Sequence, residues 1–556
     1  MTRRPAAFAA LFTALTAVFC FLLADHQVVH GAAYAQAARR SIAQVETVPA
    51  ARGKLLDRKG RTLAEDRAGW TARVADAAPA ETRARLAALC RETGTVWDGG
   101  EELARVSPRL LARIKGENLS GVTLVPAVWR WSSGTLAPHL LGRVGKMSEG
   151  EWAVYAQKGY TMDAAVGKDG AEAAFEDLLH GAPGQRVVER DRSGRVTRSG
   201  YAVLPRPGTD VTLTLDRDIQ RAARQALADF LADRPEAGGA AAAVLDVKDG
   251  GVLALVSLPD YAPETLSERY ETLAADPDHP LMDRAIQGLY APGSVFKLVT
   301  AAAALEEGVI EPDTEILDTG RYAYYASPQP QCWLYRQTGG THGLETVDRA
   351  LADSCNVFFY DVGRRVGIET LETYARALGL GVPTGIELAG EETGVVAGPD
   401  YAAAAGLPWY EGSVLSAAIG QENNRFTPLQ LAQLTATLAG DGRRRQIHVR
   451  KGAAARTLGT VSLSPENLAA IKKGMGAVTR SGALAEAFAD LPVDAGAKTG
   501  SAQVAGAAAS NAVLVAFAPW EEPEVALALV AERGGGGAEL GEAAAAILAA
   551  WCRARP

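Results

Sequence analysis

The longest uninterrupted apolar run of the chain spans residues 5–24 and reads PAAFAALFTALTAVFCFLLA. As a helix rising 1.5 Å per residue it would be about 30 Å long, enough to cross the hydrocarbon core of a bilayer. Arg3 and Arg4 precede the run and Asp25 follows it, so the positive-inside rule places the N-terminus in the cytoplasm and the rest outside. The alternative is a cleaved signal peptide, whose apolar core is normally about 7–15 residues. We predict an uncleaved single-pass anchor in the cell membrane.

Behind the anchor, helical and strand-like spacings alternate, and the chain divides near residue 206. Residues 25 to about 50 are predicted to form a helix, and residues 51–206 mix short strands with helices. The Pro- and Gly-rich stretch Leu204–Gly208 lacks apolar periodicity and is typical of a boundary. The predicted segments are a cytoplasmic tail at 1–4, the anchor at 5–24, a first domain at 25–206 and a second domain at 207–556.

The second domain combines two pairs of apolar runs with several helical patterns. One pair, 240–246 and 251–258, flanks Lys248-Asp249-Gly250, which is a strong hairpin signal. The other pair, 512–518 and 525–531, lies near the C-terminus. Helical patterns occupy residues 216–232, 295–307, 351–366, 428–439 and 539–551. Strands contributed from both ends of a domain, with helices inserted between them, predict an α+β fold in which helices flank an antiparallel sheet.

Composition narrows the possible functions. With 48% hydrophobic and 22% charged residues among 556, the chain has the balance of a folded globular protein. Its formal net charge of −8 argues against a nucleic-acid binder, which needs a basic surface to neutralise phosphates. Five cysteines exclude a disulfide scaffold, and with no C-x-x-C pair and only seven histidines a zinc site is not expected. We predict no metal ion and no organic cofactor.

The first candidate chemical motif is Ser294-Val295-Phe296-Lys297, which follows Ala291-Pro292-Gly293 and opens an apolar helical run. Serine and lysine three residues apart share one face of a helix. A serine hydroxyl is a weak nucleophile until a base activates it. A lysine in a buried helix can be that base, because burial lowers its pKa. The alternative is a capping serine with a surface lysine, and the motif alone does not exclude it.

Two further motifs supply hydrogen-bonding and charged groups. Ser354-Cys355-Asn356 offers a hydroxyl that can relay a proton and an amide that can hold a substrate amide. Its alternative role is a helix N-cap. Lys498-Thr499-Gly500-Ser501, in the strand-like stretch 495–504, offers a lysine and two hydroxyls that could grip a carboxylate. Gly500 lets a ligand approach the backbone, and the Ser501 amide could stabilise an oxyanion; the alternative is an edge strand with a protective lysine.

The three motifs occur once each, in the order S-x-x-K, S-x-N, K-T-G, and this triplet resembles the active site of penicillin-binding proteins and serine β-lactamases. Residues 52–64, RGKLLDRKGRTLA, and 139–145, HLLGRVG, resemble the pedestal domain of class B penicillin-binding proteins, which secreted β-lactamases lack. Further resembling blocks are 167–184, Leu213–Asp216, Gly420-Gln421 and Thr427–Gln430. The resemblance to a class B penicillin-binding protein covers nearly the whole chain.

The resemblance implies a peptidoglycan D,D-transpeptidase, which cross-links stem peptides through a serine acyl-enzyme and is inhibited by β-lactams. The implied catalytic residues are Ser294 as nucleophile, Lys297 as its base and Ser354 as proton relay. The implied substrate-binding residues are Asn356, Lys498, Thr499, Gly500 and Ser501. The amides of Ser294 and Ser501 are expected to form the oxyanion hole. Relatives work beside a membrane glycosyltransferase of the SEDS type, so such a partner is expected here.

Two positions depart from the family pattern. Ser501 stands where many relatives have threonine, and residues 510–514, SNAVL, lack the tryptophan usual there. The serine keeps a hydroxyl, so activity is expected to persist while β-lactam sensitivity changes. Two alternative functions are a β-lactamase and a catalytically idle β-lactam sensor or scaffold. Cys355 is expected to stay reduced, and a role in division, elongation or sporulation is left open.

Overall fold

The computed structural model of the chain describes residues 3–34, 43–95, 97–103, 105–162, 164–190, 196–327, 329–503 and 509–555. Two compact units alternate along the sequence. The N-terminal unit comprises Met1–Gly53 with Asp177–Thr209, and the main unit comprises Lys54–Glu176 with Asp210–Pro556. The domain boundary between residues 206 and 207 stays a prediction.

The N-terminal unit contains the predicted anchor. Its first helix, Arg3–Ala24, continues into a π-helical turn at Asp25–Val29. Among the described residues, Pro5–Val29 is the one helix long and apolar enough to cross a membrane, with a mean hydropathy of 2.4 and none of its apolar window buried. An apolar surface left uncovered by protein is what lipid would cover.

The same unit holds a three-stranded antiparallel sheet with the strands in the order Ala43–Val48, Gly184–Arg190 and Val196–Val203. The prediction of a helix from residue 25 to about 50 is therefore wrong for Ala43–Val48, while residues 35–42 lie outside the described part of the chain. This strand pairs with Gly184–Arg190 over its full length. The partner is far away in sequence, so local spacing could not reveal it.

The main unit begins with a mixed layer built on two long strands. Thr62–Val74 and Val122–Ser132 pair antiparallel along almost their whole length. Shorter strands are Leu55–Leu56, Glu102–Leu103, Val211–Thr212, Val144–Lys146 and Ala165–Gly167. Its helices and helical turns between residues 80 and 174 are Ala80–Thr93, Pro108–Glu117, Gly134–Leu136, Pro138–Leu141, Glu149–Tyr155, Ala156–Lys158 and Gly170–Ala174. The short helix Glu176–Leu179 begins at the last residue of this stretch and otherwise belongs to the N-terminal unit. Buried Leu86 and Leu110 pack two of these helices against Ala72 of the sheet.

A five-stranded antiparallel sheet forms the centre of the main unit, in the order Val252–Leu258, Gly239–Asp246, Val525–Glu532, Asn511–Ala518 and Gly496–Ala502. Both predicted strand pairs are confirmed. Gly250, in the predicted hairpin turn, has φ +83, a left-handed conformation that glycine adopts without strain. The sheet joins strands from the two ends of the domain, as the α+β prediction requires.

Helices cover both faces of this sheet. Leu227 in helix Arg217–Ala232 and Ile547 in helix Gly541–Ala554 pack with alternate strand positions such as Leu529. Helix Pro428–Ala439 packs against the same central strands, on the face that the intervening positions line. Burial on two faces explains why the central strands read as continuous apolar runs without alternation.

The remaining elements surround the candidate site. Helices and helical turns are Pro263–Thr265, Leu266–Ala274, Arg284–Gln287, Gly293–Phe296, Lys297–Glu306, Trp333–Thr338, Val347–Ala352, Asn356–Val366, Ile368–Ala377, Pro399–Ala404, Ser413–Ala418, Pro465–Arg480 and Gly537–Leu540. Two short strand pairs are Ile316–Asp318 with Gly343–Glu345, and Arg443–Arg445 with Thr457–Thr460. The predicted continuous helix at 351–366 is wrong, because the chain breaks at 353–355, where Ser354 adopts φ +54.

Candidate active site

The turn that carries Ser294 opens a buried helix. Gly293–Phe296 form a 3-10 turn, and the α-helix Lys297–Glu306, the lysine helix, follows directly. Gly293 has φ +52, and its N–H donates to the carbonyl oxygen of Gly420 at 3.0 Å. A left-handed residue is strained unless it is glycine, so Gly293 is what allows the chain to turn here. Ser294 is left half-buried at the start of the helix.

Lys297 is completely buried in the lysine helix, which is buried along nearly its whole length, as predicted. Burial lowers the pKa of Lys297 to about 8, with the nearby Cys355 and Cys332 acting in the opposite direction. Its Nζ donates to Asn356 Oδ1 at 2.7 Å, to the Ser354 carbonyl at 2.8 Å and to Ser354 Oγ at 3.2 Å. A lysine with a pKa close to neutrality can accept a proton at physiological pH.

Ser354 occupies the break between helices Val347–Ala352 and Asn356–Val366. Its φ of +54 is unfavourable for a residue with a side chain by about 1–2 kcal/mol, and such conformations concentrate at functional sites. The N-cap of the second helix is Cys355, whose Sγ accepts from the Phe358 N–H at 3.5 Å. The capping alternative for this motif therefore applies to its cysteine, which leaves the serine and asparagine side chains to other partners.

Lys498 lies on the edge strand Gly496–Ala502 but is completely buried. Its Nζ donates to Ser354 Oγ at 3.1 Å and to the Thr499 carbonyl at 3.1 Å. Burial first, and then the charge of Lys297, lower the pKa of Lys498 well below its usual value. The alternative of a surface lysine protecting a sheet edge does not fit a buried side chain.

The edge strand lies very close to the Ser294 turn. A Cβ atom added to Gly293 would lie 2.9 Å from the Ser501 carbonyl oxygen and 3.2 Å from the Ser501 nitrogen. A Cβ added to Gly500 would lie 2.5 Å from the Pro292 carbonyl oxygen. Glycine at these two positions is therefore required by the close approach of the two backbones. The approach brings the Ser294 and Ser501 backbones together, as a pair of oxyanion donors requires.

The exposed Ser501 is held from two directions. Its Oγ accepts from the Gly537 N–H at 3.2 Å, and its carbonyl oxygen accepts from Gln421 Nε2 at 3.4 Å. Because the hydroxyl is engaged as an acceptor, its own proton remains available to donate. Sequence reasoning identified Gly420-Gln421 only as a block of resemblance, without placing it beside the Ser294 turn and the edge strand.

The structure brings most of the predicted site residues together through Ser354 Oγ, which accepts from both Lys297 and Lys498. Asn356 joins them through Lys297, and Thr499 through its carbonyl. Within the described residues, the Ser294 hydroxyl makes no hydrogen bond, including to its predicted base Lys297. Catalytic hydrogen bonds of this kind often tighten only when substrate is bound.

A cluster of four potential metal ligands lies next to Asn356. The donor atoms of Asp318, Cys332, His342 and Cys355, termed the donor cluster, all lie within 4.8 Å of one another. His342 Nδ1 is 2.7 Å from Asp318 Oδ2 and 3.5 Å from Cys332 Sγ. Cys355 Sγ donates to Asp318 Oδ2 at 3.5 Å. One carboxylate, one imidazole and two thiols form a donor set that suits zinc.

Anionic groups of the donor cluster surround His342. Hydrogen bonds from Cys355, His342 and the Asn356 N–H lower the pKa of Cys332 to about 4, while Cys332 and Asp318 raise the pKa of His342 to about 9. The Asn356 N–H donates to Cys332 Sγ at 3.3 Å, so the cluster helps to fix Asn356. The expectation of no zinc site rested on motif spacing, which does not register donors brought together from separate elements.

Comparisons with known proteins agree with this geometry. Residues 240–551 match the family described as "Penicillin binding protein transpeptidase domain", and residues 47–213 match "Penicillin-binding Protein dimerisation domain". The chain is 28% identical to the peptidoglycan D,D-transpeptidase MrdA of Acinetobacter baumannii, covering 95% of this chain and 84% of that protein. It is 32% identical to MrdA of Escherichia coli K12, covering 73% and 68%.

A solved structure extends the similarity to the whole chain. It is described as "Structural coordination of polymerization and crosslinking by a peptidoglycan synthase complex" and superposes with a TM-score of 0.77 at 29% identity, over 100% of this chain and 99% of the other. The transpeptidase match alone covers more than half of the chain. The chain belongs to the class B penicillin-binding proteins.

Proposed function

We propose that this protein is a membrane-anchored peptidoglycan D,D-transpeptidase that works through an acyl-enzyme on Ser294. The observation that carries the proposal is the meeting of two buried lysines, Lys297 and Lys498, on the hydroxyl of Ser354. Two buried ammonium groups this close disfavour each other's charge, so at least one lysine is readily neutral. A neutral lysine can act as a base. A lysine that becomes protonated again when an anion binds can hold the carboxylate of the substrate.

Acylation follows from these two states. Neutral Lys297 removes the proton of Ser294, and Ser294 Oγ attacks the carbonyl carbon of the D-Ala–D-Ala bond. The terminal substrate carboxylate binds at Lys498, Thr499 and Ser501, and its negative charge favours the protonated form of Lys498. The amides of Ser294 and Ser501 stabilise the developing oxyanion, a contribution of about 10²–10³ in rate per donor. The proton taken by Lys297 passes through Ser354 to the leaving D-Ala nitrogen, and the C–N bond breaks.

Transfer to the second stem peptide reverses these proton movements. An amine of the acceptor stem attacks the acyl carbon, a C–N bond forms, and the ester bond to Ser294 breaks. The amine proton passes through Ser354 and Lys297 to the departing Ser294 oxygen. Asn356, fixed by Lys297 and by the donor cluster, holds the backbone amide of the donor stem. The donor cluster touches none of the reacting atoms in this scheme, so an ion bound there would support Asn356 and its helix.

The anchor places the enzyme where such substrates are made. Arg3 and Arg4 before the apolar run and Asp25 after it support a cytoplasmic N-terminus and an extracytoplasmic catalytic domain. A SEDS-type membrane glycosyltransferase is the proposed partner, supported by the similar structure described as a peptidoglycan synthase complex. Protease added to intact spheroplasts should digest the catalytic domain; its protection would contradict this orientation.

The decisive experiment combines β-lactam labelling with product analysis. Purified full-length protein is treated with fluorescent penicillin and, separately, with D-Ala–D-Ala stem peptides and an amine acceptor. We expect stoichiometric labelling and cross-linked product from the wild type, and neither from Ser294→Ala. Ser481→Ala, which changes an exposed serine after helix Pro465–Arg480, is the matched control and should behave as wild type. Labelling of Ser294→Ala at the wild-type rate would reject Ser294 as the nucleophile.

Nitrocefin turnover separates this function from a β-lactamase. A transpeptidase should open the ring of one equivalent of nitrocefin, which stays bound as an ester of Ser294, and then stop, because water resolves this acyl-enzyme slowly. Sustained turnover would favour the β-lactamase alternative. Labelling without any cross-linked product would favour the idle sensor or scaffold.

A further inference from the structure

Glu422 has a backbone conformation that its turn does not require. Its φ is +59, which is strained for any residue with a Cβ atom. The turn is closed by the Asn424 N–H on the Gln421 carbonyl at 3.3 Å, and Arg425 Nη1 donates to the Glu422 carbonyl at 3.3 Å. These contacts use only the backbone of Glu422. Glycine would make the same turn without strain, so the presence of glutamate calls for a role of its side chain.

The turn lies at the rim of the active site. Gly420, two residues before Glu422, accepts the Gly293 N–H beside Ser294, and Gln421 donates to the Ser501 carbonyl. Consecutive Cα atoms are 3.80 Å apart, so the Cα of Glu422 lies within about 7.6 Å of the Cα of Gly420. The carboxylate is therefore carried by a segment that contacts both the nucleophile turn and the edge strand.

The carboxylate of Glu422 is available to a ligand. The residue is partly buried, and across the described ranges its side chain makes no hydrogen bond and no ion pair. The hydrogen bond from Arg425 is accepted by its backbone carbonyl. The donor stem peptide ends in a carboxylate, which binds at Lys498 in the proposed mechanism. The acceptor stem brings the opposite charge, because a primary amine is an ammonium ion at neutral pH.

We propose that Glu422 binds the ammonium group of the acceptor stem peptide. The inference rests on the proposed transpeptidase function and adds to it a recognition site for the second substrate. The acceptor arrives as an ammonium ion, pairs with Glu422, and releases one proton to water at the rim. The resulting amine attacks the acyl carbon, its second proton passes through Ser354 and Lys297 to the Ser294 oxygen, and the ester bond breaks. Water competes for the same acyl-enzyme but carries no charge, so Glu422 favours aminolysis over hydrolysis.

The test measures how preformed acyl-enzyme partitions between aminolysis and hydrolysis. The acyl-enzyme is formed with a thioester or stem-peptide donor, and the ratio of aminolysis to hydrolysis is measured with a primary-amine acceptor. Because the ratio is taken after acylation, it does not depend on the acylation rate. We expect Glu422→Gln, which removes the charge and keeps the shape, to lower the ratio about tenfold, the scale of one lost charge-assisted contact. Glu422→Gly should lower it equally.

Two controls make the result specific. Methanol is a neutral nucleophile, so the ratio of methanolysis to hydrolysis should stay at the wild-type value in both variants. Glu466→Gln removes an exposed carboxylate at the start of helix Pro465–Arg480 and should leave the amine ratio unchanged. An unchanged amine ratio in Glu422→Gln, an equal fall with methanol, or a fall confined to Glu422→Gly would each overturn the proposal. A wild-type protein that forms no acyl-enzyme would instead reject the proposed function itself.

Discussion

Because the Ser294 turn lies so close to the edge strand, we expect Gly293→Ala to slow the acylation of Ser294 strongly. Gly293 has φ +52, so alanine there is strained by about 1–2 kcal/mol. Its added Cβ would lie 2.9 Å from the Ser501 carbonyl oxygen, whereas ordinary contacts begin at 3.4 Å. The Ser501 backbone must therefore retreat by about 0.5 Å, which is comparable to the whole tolerance of an oxyanion donor. We expect penicillin acylation to slow about 10²- to 10³-fold.

Gly308→Ala is the matched control for this substitution. Gly308 follows the other end of the lysine helix with φ +64, and a Cβ there would meet no atom within 4 Å. Gly308→Ala shares the backbone strain but not the clash, so it should lose less free energy of unfolding than Gly293→Ala, measured by thermal or denaturant unfolding, and should acylate at nearly the wild-type rate. The second-order rate of labelling by fluorescent penicillin reports the difference. Equal acylation rates in the two folded variants would refute the argument from close approach.

The remaining predictions concern the protonation of Lys297, the donor cluster and Cys355. The acylation rate should rise as pH increases towards about 8 and then level off, because burial lowers the pKa of Lys297 to about 8 and only the neutral amine is a base; a rate independent of pH between 6 and 9 would contradict this assignment. The same lowered pKa of Lys297 should make the free energy of unfolding, measured by denaturant unfolding, increase between about pH 8 and 10.5. In this range the lysine of the unfolded chain keeps a proton that the folded protein has lost. Elemental analysis should find one zinc ion per chain in the wild type and less in Cys332→Ser. The control Cys90→Ser changes a buried cysteine outside the donor cluster and should keep the wild-type zinc content. Peptide mapping should find Cys355 reduced. Equal zinc in both cysteine variants would show that the donor cluster is not the site.

The elements that sequence predicts well are those whose signal is local. The apolar runs at 240–246 and 512–518 became sheet strands, and helix Pro428–Ala439 has the predicted bounds. Each carries its own apolar pattern, and a hairpin signal follows the first run. The strand Ala43–Val48 lacked such a signal because its stability comes from pairing with Gly184–Arg190. The helix predicted at 351–366 failed because the left-handed Ser354 interrupts an otherwise helical pattern.

The same difference holds for the active site: its motifs are visible in the sequence, but their positions relative to one another are not. Motif order alone singled out Ser294, Ser354 and Lys498 as members of one site, but it said nothing about their distances. Only the fold makes Ser354 Oγ the shared acceptor of both lysines. The fold also sets the pKa values of the two lysines, because burial depends on the packed structure and cannot be read from the S-x-x-K or K-T-G motif.

By itself the sequence determined the apolar N-terminal helix, the α+β class and the three motifs of the proposed site, because these depend on residue type and short spacing. Tertiary structure alone decided two further features. It gathered Cys332, His342 and Cys355 around Asp318, and it placed the strained Glu422 at the rim of the active site. The physical reason is that donor geometry, close backbone approach and unpaired charge arise between segments distant in sequence, and no local pattern records them.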